Sequence, residues 1–180
     1  MSPETLAAAL GVPSARAQTW ADPLSAAMAL YAIDSLKRQA AFLAQVGHES
    51  GRLIYVRELW GPTPAQDGYE GRADLGNTEP GDGFRFRGRG LIQVTGRANY
   101  ATCGAALCLP LTDHPELLEQ PGNAAQSAAW FWNSRGLNAF ADAMDFETIT
   151  RRVNGGLNGW DDRVALWKLA LAALGADNGT

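Results

Sequence analysis

Between Gly61 and Gly90 this 180-residue chain loses every helical period. Pro, Gly, Asp, Asn and Thr cluster there, which marks turns rather than a regular element. The stretches on either side are rich in Ala, Leu, Gln and Arg, residues that favour helix. A loop of such length inside a compact domain is uncommon and usually functional. The chain is therefore expected to be mainly α, with little β and one irregular insertion at about 61–90. The whole length, 1–180, suits a single domain, of two lobes at most, around a real hydrophobic core.

Local signals place the helices. Thr5 to Leu10 reads as a short helix ended by Gly11 and Pro13. Pro23 to Ile33 reads as a second. Leu36 to Ser50 is the strongest early helix, and on it Phe42, Val46 and Glu49 share a face. Pro121 suits the first turn of a helix running to Ser134. Asp145 can cap a helix over Phe146–Val153, closed by Gly155-Gly156. The last helix, Trp160 to Leu174, is expected to bury Trp160, Val164, Trp167, Leu171 and Leu174. Phe84 to Arg87 alternates like a short strand, and Leu91 to Ala106 is expected to begin as strand and end as helix.

Charge and composition exclude several classes. A formal charge of −4 argues against a general nucleic-acid binder. No run reaches the roughly 18–20 apolar residues that span a bilayer, and no basic region followed by an apolar one marks a secretory leader. The expectation is a protein held first in a cytoplasm. Two histidines, His48 and His114, are too few for a histidine-rich metal site, and His48-Glu49 lacks the second His of a zinc-protease helix. No metal or cofactor is expected. Cys103 and Cys108 fit two small buried thiols, or a short-loop disulfide in an oxidising compartment. The basic residues are lopsided, thirteen Arg to two Lys. Such a bias suits a structured polar cleft, because Arg offers a fixed fork of donors, and high-GC codon usage would give it equally.

The candidate chemistry centres on Glu49. Glycoside hydrolysis usually needs one protonated and one ionised carboxyl group. Glu49 ends an apolar helix, where burial and the negative helix end both favour the protonated form. Glu58 follows nine residues later, beside Arg57, in a polar setting suited to a base. On one continuous helix the two would face opposite ways, so Gly51 must break it. Glu70, Asp67 and Asp74 in the long segment are alternative bases. Farther on, Arg87–Gly96 carries Gln93 and Thr95, which share a side if the segment is extended, and Gly88 and Gly90, which allow close approach to a ligand. These groups suit a sugar amide and an attacking water. Asn154-Gly155-Gly156 reads as a helix end or as an amide offered to a substrate N-acetyl group. Arg163 reads as a surface residue or as the partner steering a catalytic glutamate. Trp60 and Tyr69 are candidates for stacking on sugar, whereas Trp130, Phe131 and Trp132 read as core.

The ordered combination is more specific than its parts. Phe42–Ser50 with its His48-Glu49-Ser50, then Gly88–Tyr100, then Val153–Gly156, resembles glycoside hydrolase family 19 over about Leu24 to Leu174. It is most similar to the phage endolysins of that family. The resemblance implies a lysozyme-like helical fold with a cleft between two lobes, and an inverting mechanism with no covalent intermediate or cofactor. It implies Glu49 as general acid and Glu58 as base. Gln93 and Thr95 match residues that bind sugar and the nucleophilic water. His48, Asn99 and Asn154 fall at substrate-binding positions, and Arg163 matches an arginine near the acid. Such enzymes act on peptidoglycan, between N-acetylmuramic acid and N-acetylglucosamine, and wait in a host cytoplasm until lysis. The expected state is a monomer that does not insert into membranes. Arg85, Arg87, Arg89 and Arg97, unbroken by an acid, are expected to attract the anionic wall polymer. The rivals are a chitinase, a lytic transglycosylase and a catalytically silent wall-binding module.

Overall fold

The computed structural model describes residues 1–177, with α-helices carrying nearly all of its regular structure. In chain order these are α1 (Pro3–Leu10), α2 (Ser14–Leu30), α3 (Leu36–Glu49), α4 (Pro64–Asp67), α5 (Asp82–Arg85), α6 (Arg97–Leu107), α7 (Pro121–Ser134), α8 (Leu137–Asp142), α9 (Phe146–Asn154) and α10 (Trp160–Asp177). Extended pairing among the described residues is limited to two isolated antiparallel bridges, Arg57 with Arg89 and Arg89 with Val94.

Caps explain most of the boundaries. The Ser35 hydroxyl accepts the Arg38 N–H at the start of α3, and the Asp145 carboxylate accepts the Thr148 N–H at the start of α9. Both satisfy donors that a first helical turn leaves orphaned. Gly11 and Gly155 close α1 and α9 in left-handed conformation.

Several expectations are refined by the structure. The second helix starts at Ser14, not Pro23, and Pro23 lies inside it. Ala17, Trp20, Ala21, Leu24, Ala27 and Met28 form a buried stripe there that outweighs the missing N–H of one proline. The 61–90 segment is the irregular insertion expected, punctuated by α4, α5 and a 3-10 turn at Ala73–Leu75. Phe84 and Arg85 belong to α5 rather than to a strand. Leu91 begins a series of turns, not a strand, before α6 starts at Arg97.

The buried apolar residues form two hydrophobic clusters. The larger gathers Leu6, Leu10, Leu24, Phe42, Leu43, Val46, Trp132, Ile149, Leu166 and Leu174 from α1–α3 and α7–α10. Phe42 meets Trp132 edge to face at 5.6 Å. The smaller collects Phe86, Val94, Tyr100, Cys103, Leu111 and Leu118. Cys103 and Cys108 are free; Cys103 is buried, which pushes its thiol up to about 12, while Cys108 is exposed. The last helix turns differently from its expected face. Arg163, Leu166, Ala170 and Leu174 are its buried stripe, and Trp160, Val164, Trp167 and Leu171 flank it half-buried.

Candidate active site

Glu49 ends α3, and its side chain is 22% exposed. Gly51, Arg52 and Leu53 then all take positive φ, at 57°, 59° and 64°. Three left-handed residues in a row reverse the chain sharply; for Arg52 and Leu53 this is costly backbone that the surroundings must hold. The Ser50 hydroxyl supplies part of that hold. It donates to the Val46 carbonyl at 2.6 Å and accepts the Leu53 N–H at 2.8 Å. The break expected at Gly51 is therefore present and longer than one residue.

The reversal brings Glu58 into the same groove as Glu49. Glu49, Tyr55, Arg57, Glu58, Leu59 and Gln93 line a cleft of about 280 Å³. Glu70, Asp67 and Asp74 do not line it. Glu70 accepts the Gly81 and Gly83 N–H groups, and Asp74 pairs with Arg72. Both acids shape the insertion, while Asp67 ends α4.

The two glutamates have different partners. Glu49 Oε1 receives Arg163 Nη2 at 2.6 Å, and Oε2 accepts no hydrogen bond from the described residues. The apolar setting expected for Glu49 is therefore only part of its environment. Arg163 is 1% exposed, a fully buried cation rather than a surface residue. Glu58 Oε1 accepts Gln66 Nε2 at 3.0 Å and the Tyr69 hydroxyl at 3.4 Å, and Oε2 accepts the Gly88 N–H at 3.1 Å. All three contacts use the carboxyl group as an acceptor.

Gly88 is where the base side of the site converges. A Cβ at Gly88 would lie 2.5 Å from Gln93 Oε1 and 3.3 Å from Thr95 Oγ1. Those two side chains thus come down over a backbone whose own N–H holds Glu58. The close approach expected of this glycine is made by protein groups. Gln93 takes φ 54°, so the segment is a turn rather than extended. Its Nε2 donates to the Gly90 carbonyl at 3.0 Å, and the Thr95 hydroxyl donates to the Gln93 carbonyl at 2.9 Å. Asn99 Nδ2 reaches the Thr95 carbonyl at 2.7 Å. Gln93, Thr95 and Asn99 also line a recess of about 180 Å³ with Trp130 and Phe131. Those two aromatics, expected in the core, are half-buried walls of that recess, while Trp132 is core.

The remaining candidates do not line the cleft. His48 Nδ1 is 2.7 Å from Asp162 Oδ2, whose other oxygen receives Arg52 Nη2 at 2.7 Å, and His48 does not line the cleft. Asn154 ends α9 with its Nδ2 buried and without an acceptor among the described residues. Trp60 meets Phe84 edge-on at 5.3 Å and Tyr69 at 6.3 Å. Burial and the Glu58 charge both raise the Tyr69 hydroxyl pKa. Tyr69 therefore keeps a proton for Glu58, and its ring packs on Trp60.

The arginine run is more committed than its sequence suggests. Arg97 pairs with Asp82, and Arg89 with Glu119 at 2.8 Å. Arg85 donates to the Thr112 and Asp113 carbonyls. Arg87 is 8% exposed and lies over the Phe84 ring at 4.1 Å. Gln66 is the residue that sequence reasoning missed. Its Oε1 accepts the Gly61 and Thr63 N–H groups while its Nε2 serves Glu58 and the Leu59 carbonyl. The signal was Thr63-x-x-Gln66, a capping box that also fixes a base.

Two glutamates line one groove of this helical frame, an arrangement that suits a glycosidase. The chain belongs to glycoside hydrolase family 19, the class I chitinase family, whose pattern matches residues 25–142. A glycosyl hydrolase family 19 domain-containing protein of Haemophilus influenzae is 35% identical over 161 residues, 73% of this chain and 77% of that protein. Arabidopsis thaliana endochitinase At2g43610 is 37% identical over 118 residues, 65% of this chain but 39% of that protein. Chitinase C from Streptomyces griseus superposes with a TM-score of 0.76 at 27% identity, covering 97% of this chain and 92% of the other. The fold is the lysozyme-like helical fold of those enzymes, and the substrate is a carbohydrate.

Proposed function

We propose that this enzyme hydrolyses the glycan of bacterial peptidoglycan, between N-acetylmuramic acid and N-acetylglucosamine, with inversion at the anomeric carbon. The observation that carries the mechanism is that Glu49, Glu58 and Gln93 line one cleft. Glu49, protonated on Oε2, gives its proton to the glycosidic oxygen as the bond to the anomeric carbon breaks. Water attacks that carbon from the opposite face and passes a proton to Glu58. Gln93 and Thr95 hold the water, because both meet at the Gly88 backbone that also holds Glu58. Arg163 compensates the negative charge that Glu49 gains. The protein acts as a monomer and needs no cofactor or metal.

The rim supports an anionic glycan. Arg57 lines the cleft, and Arg57 and Arg89 share one carboxylate, Glu119. Arg57, half exposed at the cleft, offers a cation to a polymer whose peptides carry carboxylates. Chitin is the second reading, favoured by relatives named endochitinases. Mass spectrometry of digested wall separates the outcomes. A reducing muramic acid end supports the proposal. A reducing glucosamine end, an anhydro end, or turnover of chitin oligomers alone replaces it.

A further inference from the structure

Gln45 lies one helical turn before Glu49 on α3, fully buried, and carries no charge. Its Oε1 accepts Arg163 Nη1 at 2.5 Å. Its Nε2 donates to the Thr150 hydroxyl at 2.8 Å. That hydroxyl donates in turn to the Phe146 carbonyl on α9 at 2.9 Å. Arg163 also sends Nε to the Asn158 carbonyl at 3.0 Å. Gln45 and Thr150 are 0% exposed and Arg163 is 1% exposed. The relay runs from the backbone of α9, through α3, to the guanidinium on α10, and ends on Glu49.

The polarity of each step is forced. Thr150 has one hydroxyl proton, and the Phe146 carbonyl takes it, so Thr150 must accept from Gln45. The Gln45 amide then turns its oxygen to Arg163. Flipped, it would set an amide N–H against a guanidinium N–H, two donors without an acceptor between them, at a buried site where such a mismatch is costly. Arg163 is thereby held at Nη1 and Nε by neutral acceptors, and Nη2 is left for Glu49.

We infer that Gln45 and Thr150 are positioning residues for the general acid: they fix the Arg163 guanidinium so that it occupies Glu49 Oε1 and leaves Oε2 for substrate. The inference rests on the reading of Glu49 as the acid. A neutral Gln45 matters because a carboxylate there would compete for the same guanidinium. The charged groups around Glu49 are Arg163 from α10 and, lining the same cleft, Arg57 and Glu58; His48 on α3 is engaged by Asp162.

The test is a kinetic series on Thr150→Val, Thr150→Ser, Gln45→Glu and Glu49→Gln, with kcat and KM measured against pH and melting followed by circular dichroism. Thr150→Val and Gln45→Glu are expected to lower kcat on the order of tenfold or more, as misplacement of a catalytic group does, with KM within about twofold. The alkaline limb of the kcat/KM profile, which reports the protonated acid, should move to higher pH in both. Thr150→Ser should restore the wild-type limb. If kcat and the limb stay unchanged while melting falls, Gln45 and Thr150 are structural only and the inference is wrong. If Thr150→Val does not fold, Gln45→Glu, nearly isosteric, decides by the same two readouts. An active Glu49→Gln would instead remove the reading of Glu49 itself, which keeps the two failures apart.

Discussion

Arg163 Nη2 lies 2.6 Å from Glu49 Oε1, although 114 positions separate the two residues. The contact exists because α10 packs on α3, the most extensive helix pairing among the described residues. It places a cation with 1% exposure against a carboxylate with 22%. A charge held that far from water needs its partner, and losing one member of a buried pair usually costs several kcal/mol.

Glu49→Gln should abolish turnover, by a factor of at least about 10², and still fold. The amide oxygen can accept from Arg163, so the guanidinium is not left bare. Rates on purified wall, beside a melting curve, check both halves. Near-wild-type lysis would sink Glu49 as the acid.

Glu58→Gln should lose activity comparably, because the amide cannot take a proton from water. The first product of the wild-type enzyme should carry the inverted anomer, visible by proton NMR before mutarotation. A retained anomer would mean that one carboxylate acts as nucleophile, with the two groups about 5–5.5 Å apart rather than 6.5–9.5 Å.

Gly88→Ala aims at the convergence point of the base side. The new methyl would stand 2.5 Å from Gln93 Oε1 and 3.3 Å from Thr95 Oγ1. Expected are a fall in kcat of tenfold or more and a loss of about 1–3 kcal/mol of stability, as crowding of a packed site costs. Full activity in this variant would show that Gln93 and Thr95 need not approach the Gly88 backbone.

Gln66→Leu removes the clamp on Glu58, together with two acceptor contacts to the loop backbone. At 5% exposure, the orphaned N–H groups should cost about 1–3 kcal/mol. The measurements are urea unfolding and kcat. A stable variant with intact kcat would leave Glu58 positioned by Gly88 and Tyr69 alone.

Acid should loosen the insertion through Asp82. The Arg97 guanidinium, 2.7 Å away through Nε, and the Glu79 N–H hold its carboxyl below the usual aspartate range, against the opposing effect of burial. A depressed folded-state pKa contributes stability above the unfolded value and loses it as pH falls through the folded value. Asp82→Asn should therefore be less stable near neutrality and show a flatter decline below about pH 4, where aspartates begin to protonate. Parallel pH–stability curves for the two proteins would exclude the pair as a source of acid sensitivity.

The sequence determined what is local. The cap at Asp145, the glycine ends at Gly11 and Gly155, and Pro121 at a first turn set the start of α9, the ends of α1 and α9 and the start of α7 to within a residue or so, since each signal acts within a few positions. The ordered motifs carry Glu49 and Gln93, and the polar setting beside Arg57 singles out Glu58; the structure lines one cleft with all three. Only the tertiary structure decided what those residues touch. Pro23 stayed inside α2 because a buried stripe holds that helix. The stripe of α10 rotated from Trp160, Val164, Trp167 and Leu171 onto Arg163, because α10 has to bury a cation against Glu49 and Gln45. In the arginine run of residues 85–97, Arg97 and Arg89 pair with Asp82 and Glu119, while Arg85 and Arg87 are tied to backbone carbonyls. Contacts between residues a hundred positions apart leave no periodicity to read. They depend on how helices pack and which polar groups that packing seals from water, and these are settled only when the whole chain has folded.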